Sequence, residues 1–181
     1  MERCRLVFSG SGGQGVITAA IMLAEAAVLH ENLTATQTQV YGPEARGGAT
    51  RSDIIISDTD IHFPKVTQPN ILVCLTQEAY MKFYDIVRPG GLLLTDSRHV
   101  TSLHTVDSKQ VQLPMEETVL EKLGSSVALS TCMLGALLEL RDIVNPEAVI
   151  KVLKQRIPEA FYDMNVEAFK IGQDLVKAKT S

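Results

Sequence analysis

The stretch from Arg5 to Val16 reads RLVFSGSGGQGV, and no other part of the chain restricts the fold as tightly. Leu6, Val7 and Phe8 form an apolar run long enough for a buried strand. Gly10, Gly12 and Gly15 stand in G-x-G-x-x-G spacing, with Gly13 as a fourth glycine. From Val16 to His30, apolar residues recur at helical spacing, among them Val16, Ile17, Ala20, Leu23, Ala24 and Ala27. Strand, glycine turn and helix therefore follow one another, which is the context this motif requires. A turn without Cβ atoms lets a ligand approach the backbone closely. The free N–H groups that open the helix, together with its dipole, favour an anion there. The same glycines also permit close packing of strand on helix with no ligand at all.

Downstream, the pattern alternates. Strands are expected at 33–40, 49–57, 70–75 and 92–95, a short edge strand at 61–63, and weaker ones at 100–107 and 111–113. Helices are expected at 77–87 with Thr76 as N-cap, from Pro114 to Leu123 with Gly124 closing it, at 127–140, from Pro146 to Arg156 with Asn145 as N-cap, and at 165–177. This order predicts an α/β fold, a Rossmann-like three-layer sandwich with a mostly parallel sheet and helices on both faces, as one domain over residues 1–181. Ligands of such sheets bind beyond the carboxyl ends of the strands. The glycine turn, the loop after the second strand, Thr76 and Asp96 all fall at that end.

That loop reads YGPEARGG, from Tyr41 through Gly42, Pro43, Glu44, Arg46 and Gly47 to Gly48. Pro43 and three glycines forbid a regular element. Glu44 and Arg46 can pair with each other and fix the loop, or Arg46 can hold a phosphate or carboxylate through its planar fork of donors.

Composition narrows the function. Seventeen basic and 21 acidic residues give a net charge of −4 with no Lys/Arg cluster, so nucleic acid is not an expected partner. No apolar run reaches membrane-spanning length, and Met1 leads directly into a charged segment and the first strand. A cytoplasmic location is expected. Cys4, Cys74 and Cys132 are far apart and form no C-x-x-C pair, so they read as reduced thiols and not as ligands of zinc or an iron–sulfur cluster. His30, His62, His99 and His104 are scattered; Asp53 falls within the expected strand 49–57, and Asp58 and Asp60 read as turn residues after Ser57. No catalytic residue and no metal site is assigned. A dinucleotide-binding fold needs an acid at the end of its second strand, and residues 36–40 read TQTQV.

GSGGQGV at 10–16, YGPEARGG at 41–48 and the following ATRSDIIIS together resemble the gamma subunit of 2-oxoacid:ferredoxin oxidoreductases. The resemblance continues through NILVCLTQEAY, RPGGLLLTDS and MLGALLEL, and so covers nearly the whole chain. One departure is Ser130, where many members of that family carry Asn. The resemblance implies an enzyme that oxidatively decarboxylates a 2-oxoacid such as pyruvate or 2-oxoglutarate on thiamine diphosphate. It passes electrons through iron–sulfur clusters to ferredoxin and hands the acyl group to coenzyme A. It also implies that thiamine diphosphate and the clusters are held by alpha, beta and delta-type partner subunits, and that this chain is inactive alone. Gly10, Gly12, Gly13, Gln14 and Gly15 then form one ligand or partner contact, and Tyr41, Gly42, Glu44, Arg46, Gly47 and Gly48 the other. A stand-alone NAD(P)- or nucleotide-binding protein, a purely architectural subunit, and a homodimer of the isolated chain are the alternatives.

Overall fold

The computed structural model describes residues 3–40 and 48–180. Its sheet is built from β1 (Cys4–Gly10), β2 (Thr34–Val40), β3 (Thr50–Ser57), β4 (Ile71–Cys74), β5 (Gly91–Asp96) and β6 (Ser108–Leu113), in the order β2-β3-β1-β4-β5-β6. Strands β1, β4, β5 and β6 run parallel, whereas β3 is antiparallel to both of its neighbours. The helices are α1 (Val16–His30), α2 (Gln77–Phe83) continued by a 3₁₀ turn at Tyr84–Ile86, α3 (Met115–Leu123), α4 (Leu129–Leu140), α5 (Pro146–Arg156) and α6 (Glu159–Thr180).

The central strands are continuous apolar runs because both faces are covered. Side chains alternate between faces. Leu6, Phe8, Ile54, Val73, Leu92 and Leu94 meet α1, α3, α4, α5 and α6 in a large core. Val7, Ile55, Leu72 and Leu93 meet α2 and two irregular segments in a smaller one. The expected edge strand at 61–63 is absent. Residues 58–70 and 97–107 are irregular, and they cover the second face with Val66 and Val100, both buried. The place beside β5 is taken by β6, so 100–107 does not pair with β5 and crosses the second face as an irregular segment.

Local signals set most boundaries. The Thr76 hydroxyl accepts from the Ala79 N–H at 3.2 Å, and the Asn145 side chain accepts from Glu147 N–H at 2.9 Å with Pro146 in the first helical position. Gly124 closes α3. Only α6 starts well before its expected position, at Glu159.

Helices α4 and α6 run side by side in the same direction, with α5 returning the chain between them. Thr131 faces Asn165 near one end and Glu139 faces Lys177 near the other. Their backbones touch at Gly135: a Cβ there would overlap the Phe169 carbonyl, and one on Gly172 would overlap the Cys132 carbonyl.

Candidate functional site

The glycine turn closes tightly after β1. Gln14 N–H donates to the Ser11 carbonyl at 3.3 Å, and Ser11 N–H donates to Gln14 Oε1 at 2.8 Å. Gln14 Nε2 reaches the Leu75 carbonyl at 3.4 Å, so the Gln14 amide ties the turn to the end of β4. Gly15, at φ 75° and ψ 16°, starts α1 in the left-handed region, where side chains are strained. No side chain caps this end. The first intrahelical bond is Ala19 N–H to the Gly15 carbonyl at 2.9 Å, which leaves the N–H groups of Val16, Ile17 and Thr18 without intrahelical partners. They border an open groove of about 320 Å³ between the turn and Thr50, with no acidic residue in the helix's first turn.

The glycines divide into two kinds. A Cβ on Gly10 would stand 2.5 Å from Gln14 Oε1, and one on Gly15 would stand 2.7 Å from the Ser130 hydroxyl. These two are required by packing. Gly12 and Gly13 are exposed, and a Cβ on either would meet nothing within 4 Å. Their faces open on the groove.

Of the second motif only Gly48 lies among the described residues. Tyr41, Gly42, Glu44, Arg46 and Gly47 lie outside the described residues. Gly48 is half-buried, and the N–H of the buried Ala49 donates to Glu78 Oε1 at 3.3 Å. The start of β3 adjoins the glycine turn: Gly10 pairs with Thr50, Val40 pairs with Arg51, and the Ser9 hydroxyl donates to the Thr50 carbonyl at 2.8 Å.

The same topology separates this rim from the ordinary dinucleotide fold. Antiparallel β3 stands between β1 and β2, so the end of β2 is one strand removed from the glycine turn. The position that would hold a ribose-binding acid is taken by Thr50 and Arg51 at the start of β3.

Asp53 stays within the strand expected at 49–57. It lies in β3 at 3% exposure and holds Arg51 in a two-pronged ion pair, with Oδ1–Nε 2.5 Å and Oδ2–Nη2 3.0 Å. Arg51 Nη2 also donates to the Val66 carbonyl at 2.6 Å, while Val66 N–H donates to Asp53 Oδ2 at 3.3 Å. The guanidinium lies 5.4 Å from the centre of the Phe83 ring. This clamp fixes the start of β3 to the segment covering the second face. Its signal in the sequence is the spacing R-x-D inside a strand, which puts both side chains on one face.

Asp96 is at the carboxyl end of β5 but does not face the groove. It is fully buried and accepts from the N–H groups of Glu116 at 2.8 Å and Arg98 at 2.9 Å. Burial pushes its carboxyl above the ordinary value, and those two hydrogen bonds pull it back. His99 pairs with Glu116 nearby. Burial raises the thiols of Cys74 and Cys132, the latter to about 12 with help from Asp96. Among the described residues no three His, Cys, Asp or Glu side chains converge to hold a metal ion. Among them, too, no helix is long and apolar enough to cross a membrane. What the rim offers is backbone: the N–H groups that open α1 and the exposed Gly12 and Gly13.

The profile of the family "Pyruvate ferredoxin/flavodoxin oxidoreductase" matches residues 5–175. The 2-oxoglutarate synthase subunit KorC of Methanocaldococcus jannaschii is 41% identical over 177 residues, covering 97% of this chain and 95% of the relative. Among solved structures, the gamma subunit of a keto/oxoacid ferredoxin oxidoreductase from Geobacter sulfurreducens superposes with a TM-score of 0.91 at 38% identity, covering 98% of both chains. A 2-oxoglutarate:ferredoxin oxidoreductase from Magnetococcus marinus, bound to 2-oxoglutarate, coenzyme A and succinyl-CoA, shares the fold with a TM-score of 0.87 at 21% identity. The match covers 98% of this chain and 32% of that longer one.

Proposed function

The chain belongs to the pyruvate ferredoxin/flavodoxin oxidoreductase family as a gamma subunit of 2-oxoacid:ferredoxin oxidoreductases, and we propose that its glycine rim is the face it turns to coenzyme A. The complexes formed by such subunits oxidatively decarboxylate a 2-oxoacid with ferredoxin as acceptor. Thiamine diphosphate supplies the decarboxylation chemistry when bound and iron–sulfur clusters carry the electrons. The described part of this chain has no grouping of side chains that fits either: its thiols are dispersed and two of the three are buried. Both belong to the alpha, beta and delta-type subunits that are its partners.

One observation carries the reading. The N–H groups of Val16, Ile17 and Thr18 lack intrahelical partners and open on a groove beside exposed Gly12 and Gly13. Backbone donors at a helix start suit the phosphates of coenzyme A. Gln14 holds the turn in shape, and the guanidinium of Arg46 in the YGPEARGG motif supplies a cation to the same ligand. The 2-oxoacid is 2-oxoglutarate, the oxoacid in the name of the 41% identical relative.

Gly12→Val tests this. Position 12 faces open space, so valine folds but fills the groove. In the assembled complex the KM for coenzyme A rises at least tenfold while subunit assembly is retained. An unchanged KM in a complete complex contradicts the reading and favours a rim that contacts only protein.

A further inference from the structure

The amino ends of β1, β4 and β5 converge at the end of the sheet away from the glycine rim. Between them lies a pocket of about 240 Å³ lined by Arg3, Arg88 and Arg141, with Cys4, Asn70 and Asp142 among its other walls. The arginines arrive from three places: the lead into β1, the turn before β5 and the residue after α4. In a chain of net charge −4, this concentrates positive charge at one point.

These arginines differ from Arg51 and Arg156. Arg51 and Arg156 each hold a carboxylate, Asp53 and Glu25 respectively. Among the described residues, Arg3, Arg88 and Arg141 have no carboxylate within ion-pair distance. Arg3 donates to the Asp60 carbonyl at 2.8 Å, and Arg141 to its neighbour's carbonyl at 3.4 Å. Asp142 lines the pocket but pairs with none of them. Three like charges held around one concavity repel one another, and an anion at their centre removes that repulsion. The charges of Arg88 and Arg141 reach its wall: burial drives the Cys4 thiol up to about 11, against an opposing pull from those two and from Arg5 outside the pocket.

We infer that this pocket is a second anion site, for a small phosphate- or carboxylate-bearing ion held by Arg3, Arg88 and Arg141. Size favours a small ion, since the cavity is below the range of about 300–1,000 Å³ usual for drug-sized ligands. Guanidinium forks suit anions with several oxygens, which they grip with two donors at once. Its position at the far end of the sheet makes it independent of the glycine groove.

The test uses inorganic pyrophosphate and succinate as probes, titrated at low salt into the isotopically labelled full chain while backbone amide resonances are followed. Saturable shifts at Cys4, Ile71, Gly90 and Gly91, weakened at least tenfold in the double variant Arg88→Gln/Arg141→Gln, support the site. Stronger binding of one probe names the anion class. Both arginines are exposed, so the variant folds; thermal unfolding confirms it, and Arg88→Gln alone serves if it does not. Shifts confined to residues 11–18, or equal affinity in the variants, overturn the inference. So does a variant that fails to assemble with its partner subunits while the wild-type pocket binds neither probe. That result assigns the arginines to a protein interface.

Discussion

Gly15 and Ser130 are so close that a Cβ on the glycine would stand 2.7 Å from the serine hydroxyl and 2.9 Å from its Cβ. The start of α4 therefore backs the turn that opens α1, and the shape of the groove depends on a helix more than a hundred residues away. Gly15→Ala meets two obstacles, the Ser130 side chain and a φ of 75°. The left-handed backbone alone costs about 1–2 kcal/mol. Chemical denaturation of the full chain is expected to show a loss of about 2–3 kcal/mol, the excess arising from the contact. The double variant Gly15→Ala/Ser130→Gly recovers part of it. A loss no greater than that of Gly12→Ala contradicts the contact.

The α4–α6 seam is less forgiving. Here the neighbour of the added Cβ is a backbone carbonyl, which cannot rotate away, so Gly135→Ala or Gly172→Ala forces the helices apart. Each is expected to cost about 3 kcal/mol or more, at or above the upper end of ordinary overpacking. Thr131→Val tests the same seam by another route. It removes the hydroxyl that donates to Asn165 Oδ1 at 2.7 Å, leaving a buried acceptor unsatisfied at a cost of about 1–3 kcal/mol. Urea midpoints check all three.

Asp53→Asn breaks the clamp on Arg51. A cation at 16% exposure then loses its paired charge while keeping the Val66 carbonyl, and a loss of about 2–3 kcal/mol is expected. The loss is smaller in Arg51→Met/Asp53→Leu, where no charge is stranded. If the single variant is no less stable than the double, the pair does not hold β3 to the second face.

Two carboxylates give opposite pH dependences. Glu25, on α1, is paired with Arg156 at the end of α5, and that bond holds its carboxyl below the ordinary 4.5. Its contribution is present above pH 4.5 and is lost as pH falls through the lowered value. The pair is well exposed, so Glu25→Gln costs only about 0.5 kcal/mol at pH 7 and nothing at pH 2. Asp96 is raised above 3.8 by burial. It favours the folded state below pH 3.8, and that advantage is lost as pH rises through the raised value. The stability of the wild type relative to Asp96→Asn therefore falls as pH rises from 3.8 through the raised value. A difference constant with pH contradicts the burial of this carboxyl as an ionisable group.

Much of this architecture is legible in the sequence because it is local. Pro146 after Asn145, Gly124 after an amphipathic run, and Thr76 before Gln77 mark helix ends by the chemistry of capping, and the structure keeps all three. Apolar runs locate the central strands for the same reason. The insertion of β3 between β1 and β2 is not local. It follows from pairing across the sheet, which alternation of elements does not encode, and it decides against an ordinary dinucleotide site. Strand alternation puts Arg51 and Asp53 on one face, but the clamp was hidden because it closes on Val66 from the segment that covers that face, a contact made only in the folded chain. The glycine spacing shows that a turn exists, and only packing separates Gly10 and Gly15, needed for structure, from Gly12 and Gly13, which face the groove.

The most direct measurement is on the complex. The tagged chain, purified anaerobically from its own cells, should bring thiamine diphosphate- and iron-containing subunits with it. The preparation should reduce dye only when 2-oxoglutarate and coenzyme A are both present. Activity with 2-oxoglutarate that disappears without coenzyme A is the predicted result. A chain that emerges alone and inactive, or a complex whose turnover is indifferent to coenzyme A, contradicts the account.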